Sequence, residues 1–217
     1  MTFPTFPAAT LAAFAAASLV LSVTPGPGVL YVVTRTLAQG RRAGLASIAG
    51  VALGNFGNAV GASIGLAALF ALSALAFTIV KWAGVAYLLW LGLQALRRPR
   101  AAADTPRFAA PRLGAVFRDG FLVALLNPKT ALFFAAFLPQ FIDPAGSAIA
   151  QSIALGTLFV AIAASTDAGY VMAAHAAAPT LGRAGRGRAW GRYLTAGAYF
   201  GLAVFTAATS SRGVSRS

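Results

Sequence analysis

Apolar runs of 18 or more residues recur along nearly the whole chain, and each run of that length is a candidate transmembrane helix. The first covers about 8–34 and is followed by Arg35, Arg41 and Arg42. The second starts near Gly44 and merges into the third, which ends at Leu96. That span suits two helices of about 20–25 residues each, joined by a tight turn placed near Leu69–Ser73. The stretch from Arg97 to Arg118 holds Arg97, Arg98, Arg100, Arg107, Arg112 and Arg118 with Pro99, Pro106 and Pro111, and reads as a loop. Run four covers about 119–142, and Asp143-Pro144-Ala145-Gly146-Ser147 makes a turn. Run five covers about 148–174. A second basic, glycine-rich loop then carries Arg183, Arg186, Arg188 and Arg192. Run six covers about 193–209, and the tail holds Arg212 and Arg216.

This pattern predicts an all-α integral membrane protein, with 1–217 a single transmembrane domain. Half one covers about 1–96, a basic cytoplasmic loop 97–118, and half two about 119–217. Thirteen arginines fall in the loops after runs one, three and five, and the opposite turns carry none. The positive-inside rule then makes those loops cytoplasmic and places both termini outside. Met1–Pro7 carries no Lys or Arg and shows no small-residue cleavage site, so the first run reads as a retained helix. A five-span variant, in which the first run does not fully cross, is the alternative.

Two runs are interrupted in their middles, one by Thr24-Pro25-Gly26-Pro27-Gly28 and the other by Asn127-Pro128-Lys129. Proline removes a helical hydrogen bond. In lipid the freed backbone groups are tolerated only where protein or a water-lined cavity satisfies them. Pro25 lies ten residues before Arg35, and Pro128 ten residues after Arg118. Ten helical residues rise about 15 Å, which puts both breaks near the midplane of a ~30 Å hydrocarbon core. Six transmembrane helices arranged as two inverted three-helix repeats, with broken first and fourth helices, follow from this symmetry. Thr24 and Asn127 each read as an N-cap with proline at the first helical position. Exposed half-helix N-termini attract anions. Lys129 adds a full charge, and Gly26 and Gly28 admit close approach, so the pair of breaks suits a carboxylate. Its amino group would need acceptors, for which the freed carbonyls near Val23 and Ala124 or the carboxylate of Asp167 are candidates. Proline kinks used only for packing are the alternative.

Composition narrows the chemistry. The chain has no cysteine and one histidine, His175, which excludes thiolate chemistry and a multi-histidine metal centre. Neither metal nor cofactor is called for. The net charge of +13 reflects loop arginines, so nucleic acid is not an expected partner. The fifteen arginines all read as lying in loops, tail or span edges, whereas both lysines, Lys81 and Lys129, lie inside apolar runs. Charged groups at that depth are functional candidates. Asp167 in run five would pair with Lys129 or Lys81, carry a coupling proton, or reach the aqueous edge. Asn55 and Asn58 would line the cavity or hydrogen-bond between helices. Asp119, beside Arg118, reads as a helix-start residue. Gly50, Gly54, Gly57, Gly61 and Gly65 would let helices pack closely and would permit a homodimer.

Three stretches together resemble the LysE/RhtB family of amino-acid exporters. They are Thr24-Pro25-Gly26-Pro27, then Lys81-Trp82-Ala83-Gly84-Val85-Ala86-Tyr87-Leu88-Leu89-Trp90-Leu91-Gly92, then Gly120-Phe121-Leu122 continuing to Asn127-Pro128-Lys129 and Phe137-Leu138-Pro139-Gln140-Phe141. The resemblance implies efflux of amino acids or their derivatives across the bacterial cytoplasmic (inner) membrane, driven by the proton gradient. Some members carry an acidic residue in the second span, where this chain has Asn55 and Asn58. An exporter or channel for another small solute or ion on the same scaffold is the second reading. A membrane enzyme is disfavoured, because four acidic residues and one histidine are scattered along the chain.

Overall fold

The computed structural model describes residues 6–65, 74–97 and 112–183, together with single positions between 193 and 207. Among the described residues all regular structure is helical: α1 (Ala8–Val23), α2 (Pro27–Gln39), α3 (Arg41–Ser63), α4 (Ala74–Arg97), α5 (Leu113–Leu125), α6 (Pro128–Ala136) and α7 (Ala148–Arg183). A short 3-10 turn, Leu138–Phe141, follows α6, and the described positions from 193 to 207 are helical. The turn expected near Leu69–Ser73 and most of both basic loops lie outside the described residues. So does the Lys81 side chain, although Lys81 itself falls on α4.

By length and apolarity α3 and α7 can each cross a membrane. The pairs α1 + α2 and α5 + α6 pass the same test jointly, bent by 50° and 49° at their breaks. Leu19, Val20, Leu53, Leu75, Ile79 and Met172 are exposed on the bundle surface. Large apolar side chains so placed suit contact with lipid rather than water.

Three boundaries differ from the sequence expectation. α3 starts at Arg41, because Gly40 closes α2 with φ +83°, a left-handed conformation that glycine adopts without penalty. α5 begins at Leu113, inside the stretch expected to be loop up to Arg118. The segment Leu113-Gly114-Ala115-Val116-Phe117 is apolar, and a helical arginine can run its stem along apolar surface and still reach water. Accordingly the Arg118 side chain is 62% exposed. α7 continues past Ala174 to Arg183, through a segment rich in alanine, the strongest helix former.

The intact helix α3 packs chiefly against α5 and α7, α1 lies on α7, and α2 lies on α3 and α7. Glycines make the α3–α5 approach possible. A Cβ on Gly50 would fall onto the Phe117 carbonyl oxygen, and one on Gly54 onto the Phe121 carbonyl oxygen. The glycine face that would permit a homodimer is thus used inside the bundle at these two positions. Two apolar clusters result, one around Tyr31, Val51, Leu88 and Val123, the other around Phe14, Phe133, Phe134 and Phe159.

A buried ion pair ties α2 to α5. Arg35 Nη2 donates to Asp119 Oδ2 at 2.9 Å, with the two residues 6% and 3% exposed. Arg118 Nη2 and the Tyr87 hydroxyl both donate to Asp119 Oδ1 at 3.1 Å. The Arg35 guanidinium also lies over the Tyr31 ring, 5.2 Å from its centroid. This corrects two sequence expectations. Arg35 is buried within α2 rather than lying in the loop after the first run, and Asp119 sits inside α5 rather than at its start. The physical reason is reciprocal: each charge is tolerated inside the bundle because the other is there.

Two outcomes follow for unfolding in detergent. Asp119→Ala removes the carboxylate that offsets the buried Arg35 charge and should cost about 3–5 kcal/mol of stability. Gly54→Ala drives a methyl into α5 backbone and should cost about 1–3 kcal/mol. Gly57→Ala should cost less, since its Cβ would meet only the mobile end of Leu125 at 3.0 Å.

Candidate functional site

The two breaks differ in construction. Asn127 caps α6 as its sequence suggests: Oδ1 accepts from the Lys129 backbone N–H at 3.1 Å, Nδ2 donates to Thr130 Oγ1 at 3.1 Å, and Pro128 opens the helix. At the other break the expectation for Thr24 fails. Thr24 is the C-cap of α1, and its hydroxyl donates back to the Val20 carbonyl at 2.6 Å. The N-cap of α2 is Gly26, with Pro27 as first helical residue. Two prolines cause the shift, since each forces the residue before it into an extended conformation. Thr24 (ψ 118°) and Gly26 (φ −154°, ψ −174°) are both extended, so the chain crosses the break as a short strap before α2 can begin.

Each break strands backbone carbonyls on the helix that precedes it. Lys129 Nζ donates to the Leu21 carbonyl at 2.7 Å and the Thr24 carbonyl at 2.6 Å. The Tyr170 hydroxyl donates to the Val23 carbonyl at 2.7 Å. On the other side Asn58 Nδ2 donates to the Ala124 carbonyl at 2.9 Å. The two carbonyls considered as acceptors for a ligand's amino group, at Val23 and Ala124, are therefore already engaged by protein donors. Of the alternatives for Asn58, the structure shows the interhelical hydrogen bond.

A cavity of about 40 Å³ lies where the breaks meet. Gly26, Gly28 and Val29 line it from the first break, and Asn127, Lys129 and Thr130 from the second. Asn55 and Val51 contribute from the middle of α3, and Phe159, Ala163 and Asp167 from the middle of α7. Thr24, Pro25, Pro27, Pro128 and Asn58 are not among its lining residues. Pro27 and Pro128 instead border a smaller void against Gly84 and Leu88 of α4. The equal ten-residue spacing in the sequence has a direct counterpart: Arg35 and Arg118 meet on one carboxylate, and the two breaks meet on one cavity.

Two charged residues line the cavity, Lys129 and Asp167. They are not equivalent. The Lys129 ammonium is occupied by the α1 carbonyls. Asp167 is 4% exposed and makes no hydrogen bond or ion pair to a described residue. Sequence reasoning missed Tyr170, although its place three residues after Asp167 puts both on one face of α7. It also missed Ser22 and Val29, which border the cavity beside the anticipated motif. The size of the cavity is informative too. One water needs about 10–15 Å³ on this measure, and small-molecule pockets run to about 300–1,000 Å³. The site is therefore contracted, with room for a few waters.

Comparison with known proteins adds the following. Residues 19–210 match the model of the LysE type translocator family. The chain is 38% identical over 158 residues to the homoserine/homoserine lactone efflux protein of Salmonella typhimurium, covering 73% of this chain and 77% of that protein. It is 37% identical over the same shares to the corresponding protein of Salmonella typhi. An uncharacterized membrane protein of Vibrio cholerae is 38% identical over 171 residues, covering 79% and 82%. No solved structure matches.

Two substitutions test the caps. Asn127→Ala should lower unfolding stability by about 1 kcal/mol, while Asn127→Asp, which keeps an acceptor for the Lys129 amide, should lower it less. Tyr170→Phe, which removes only the hydroxyl over Val23, should also cost about 1 kcal/mol.

Proposed function

The chain belongs to the LysE type translocator family, and from that premise we propose how it performs amino-acid efflux. Its substrate occupies the cavity between the two broken helices. The observation that carries this reading is the convergence of both breaks, Asn55, Lys129 and Asp167 on one space midway along α3 and α7. Transporter sites lie near the bilayer midplane, at the interface of structural repeats and against half-helix ends. The chain is a transporter and not an enzyme, as its family is.

On this reading six spans form two inverted three-helix repeats, α1–α4 with its undescribed turn and α5 to the last helix. The similar bends, 50° and 49°, in the first span of each half support the repeat. The arginine-rich loops face the cytoplasm and both termini face outward. Rocking one half against the other exposes the cavity alternately. A proton moving inward drives export, with Asp167 the acidic group at the site. The substrates named for the Salmonella relatives, homoserine and its lactone, suggest a small α-amino compound here.

The test is export from cells loaded with amino acids through a dipeptide mixture. Expression of the protein should raise one or a few amino acids outside. Lys129→Ala and Asn127→Ala should cut that export about tenfold or more while still reaching the membrane. Parental export rates in both variants would remove the site from the cavity. No amino-acid difference at all would favour another solute.

A further inference from the structure

Resting on the cavity as the substrate site, we propose that it reads its substrate with a fixed polarity. The Asp167 carboxylate takes the α-ammonium, the uncapped amides of Gly28 and Val29 take the acyl oxygen, and Lys129 is a strut rather than a ligand.

The argument begins with which groups are free. The N-terminus of α6 is closed by its own Asn127 side chain. The N-terminus of α2 has no side-chain cap. Its first bonded amide is Leu30, to the Gly26 carbonyl, while the Gly28 and Val29 amides make no hydrogen bond among the described residues. Both of these residues line the cavity. A helix N-terminus alone would mean little, since water often satisfies one. Here it shares the cavity with Asp167, a buried carboxylate that faces Lys129 there but makes no hydrogen bond or ion pair among the described residues. A carboxylate inside a bundle with no direct donor is costly unless something bonds to it during the working cycle. A primary ammonium is a fitting partner.

Lys129 could be imagined as the partner of a substrate carboxylate. Two of its three donors are already committed to α1. Its stem passes close to the strap, where a Cβ on Gly26 would sit 3.3 Å from Lys129 Cδ. What remains for the acyl end are neutral amides. Neutral donors accept a carboxylate, and they accept an amide or ester carbonyl as well. The site thus demands the amine and tolerates either charge at the acyl end.

The same carboxylate then couples the proton. Asp167 holds either the substrate's ammonium or a proton, and each must leave before the other binds. A zwitterion leaving in exchange for one proton moves one net charge inward. A cationic amide leaving in exchange for one proton moves none. Lys129 and Asp167 are the ionisable groups that line the cavity among the described residues.

The experiment uses the full chain in liposomes, with an α-amino acid, its primary amide and its α-hydroxy analogue as substrates. Counterflow, which needs no net proton movement, is the main readout. Wild type should carry the amino acid and the amide but not the hydroxy acid. Asp167→Asn should lose counterflow of both about 10- to 100-fold. Lys129→Gln should slow both alike. An imposed membrane potential should drive transport of the acid and not of the amide. Equal transport of the hydroxy acid by wild type overturns the polarity, and this result needs no variant to fold. Full counterflow in Asp167→Asn leaves Asp167 a proton carrier only, and overturns its role as ligand. A Lys129→Gln defect confined to the acid makes Lys129 a carboxylate ligand after all. Transport of none of the three by wild type overturns the efflux reading itself, and this inference with it.

Discussion

The bond from the Lys129 ammonium to the end of α1 is the contact on which the rest of the site depends. Taken within its own helix the lysine is misplaced. It stands in the first turn of α6, where the helix dipole disfavours a cation. Its energetic reason lies across the bundle. The last turn of α1 carries partial negative charge and stranded carbonyls, in a place where lipid supplies no donor. By meeting the Leu21 and Thr24 carbonyls, Lys129 satisfies both demands and fastens α6 to α1. Tyr170 and Asn58 do the same for the neighbouring carbonyls from α7 and α3. Most of the polar groups that a sequence reader would assign to a ligand are thus engaged in making the breaks permissible.

That use of donors leaves an asymmetry between the two breaks. Asn127 both caps its helix and bonds Thr130, so its break is closed. The glycine cap of α2 has no side chain to give, so the Gly28 and Val29 amides are left without a hydrogen bond among the described residues. On the far side the ion pair of Arg35 with Asp119 joins α2 to α5 through a second, separate contact. The two bent pairs, α1 with α2 and α5 with α6, are therefore joined twice, once by lysine on carbonyls and once by arginine on carboxylate. The cavity is framed by helices that both contacts restrain.

Much of this was legible in the sequence, for identifiable reasons. Proline and lysine inside apolar runs are rare enough to mark both breaks. Asparagine before proline is a strong local signal, and the cap at Asn127 formed as read. Both breaks border one cavity, in keeping with their equal ten-residue distances from Arg35 and Arg118 and the constant rise of a helix. Where the sequence misled, the deciding contact was distant. Thr24 looks like an N-cap until a second proline two residues on is given its own steric effect. Arg35 looks like a boundary marker until Asp119, 84 residues away, is known to face it. The ends of α5 and α7 escaped hydropathy because alanine, and arginine with its long stem, sit as readily in a helix as in a loop.

The Thr24-Pro25-Gly26-Pro27 strap has a mechanical consequence. Many helices that break in the middle can heal, because the amides at the break can recover their partners. Here Pro25 and Pro27 have no N–H to offer, so α1 and α2 can never anneal into one continuous rod. The break is permanent, built into the covalent chain rather than chosen by the fold. Straightening a helix is therefore closed to this protein as a way of opening its path. The segments on either side swing as stiff pieces about a hinge whose two proline φ angles are locked and whose freedom lies in Gly26 between them.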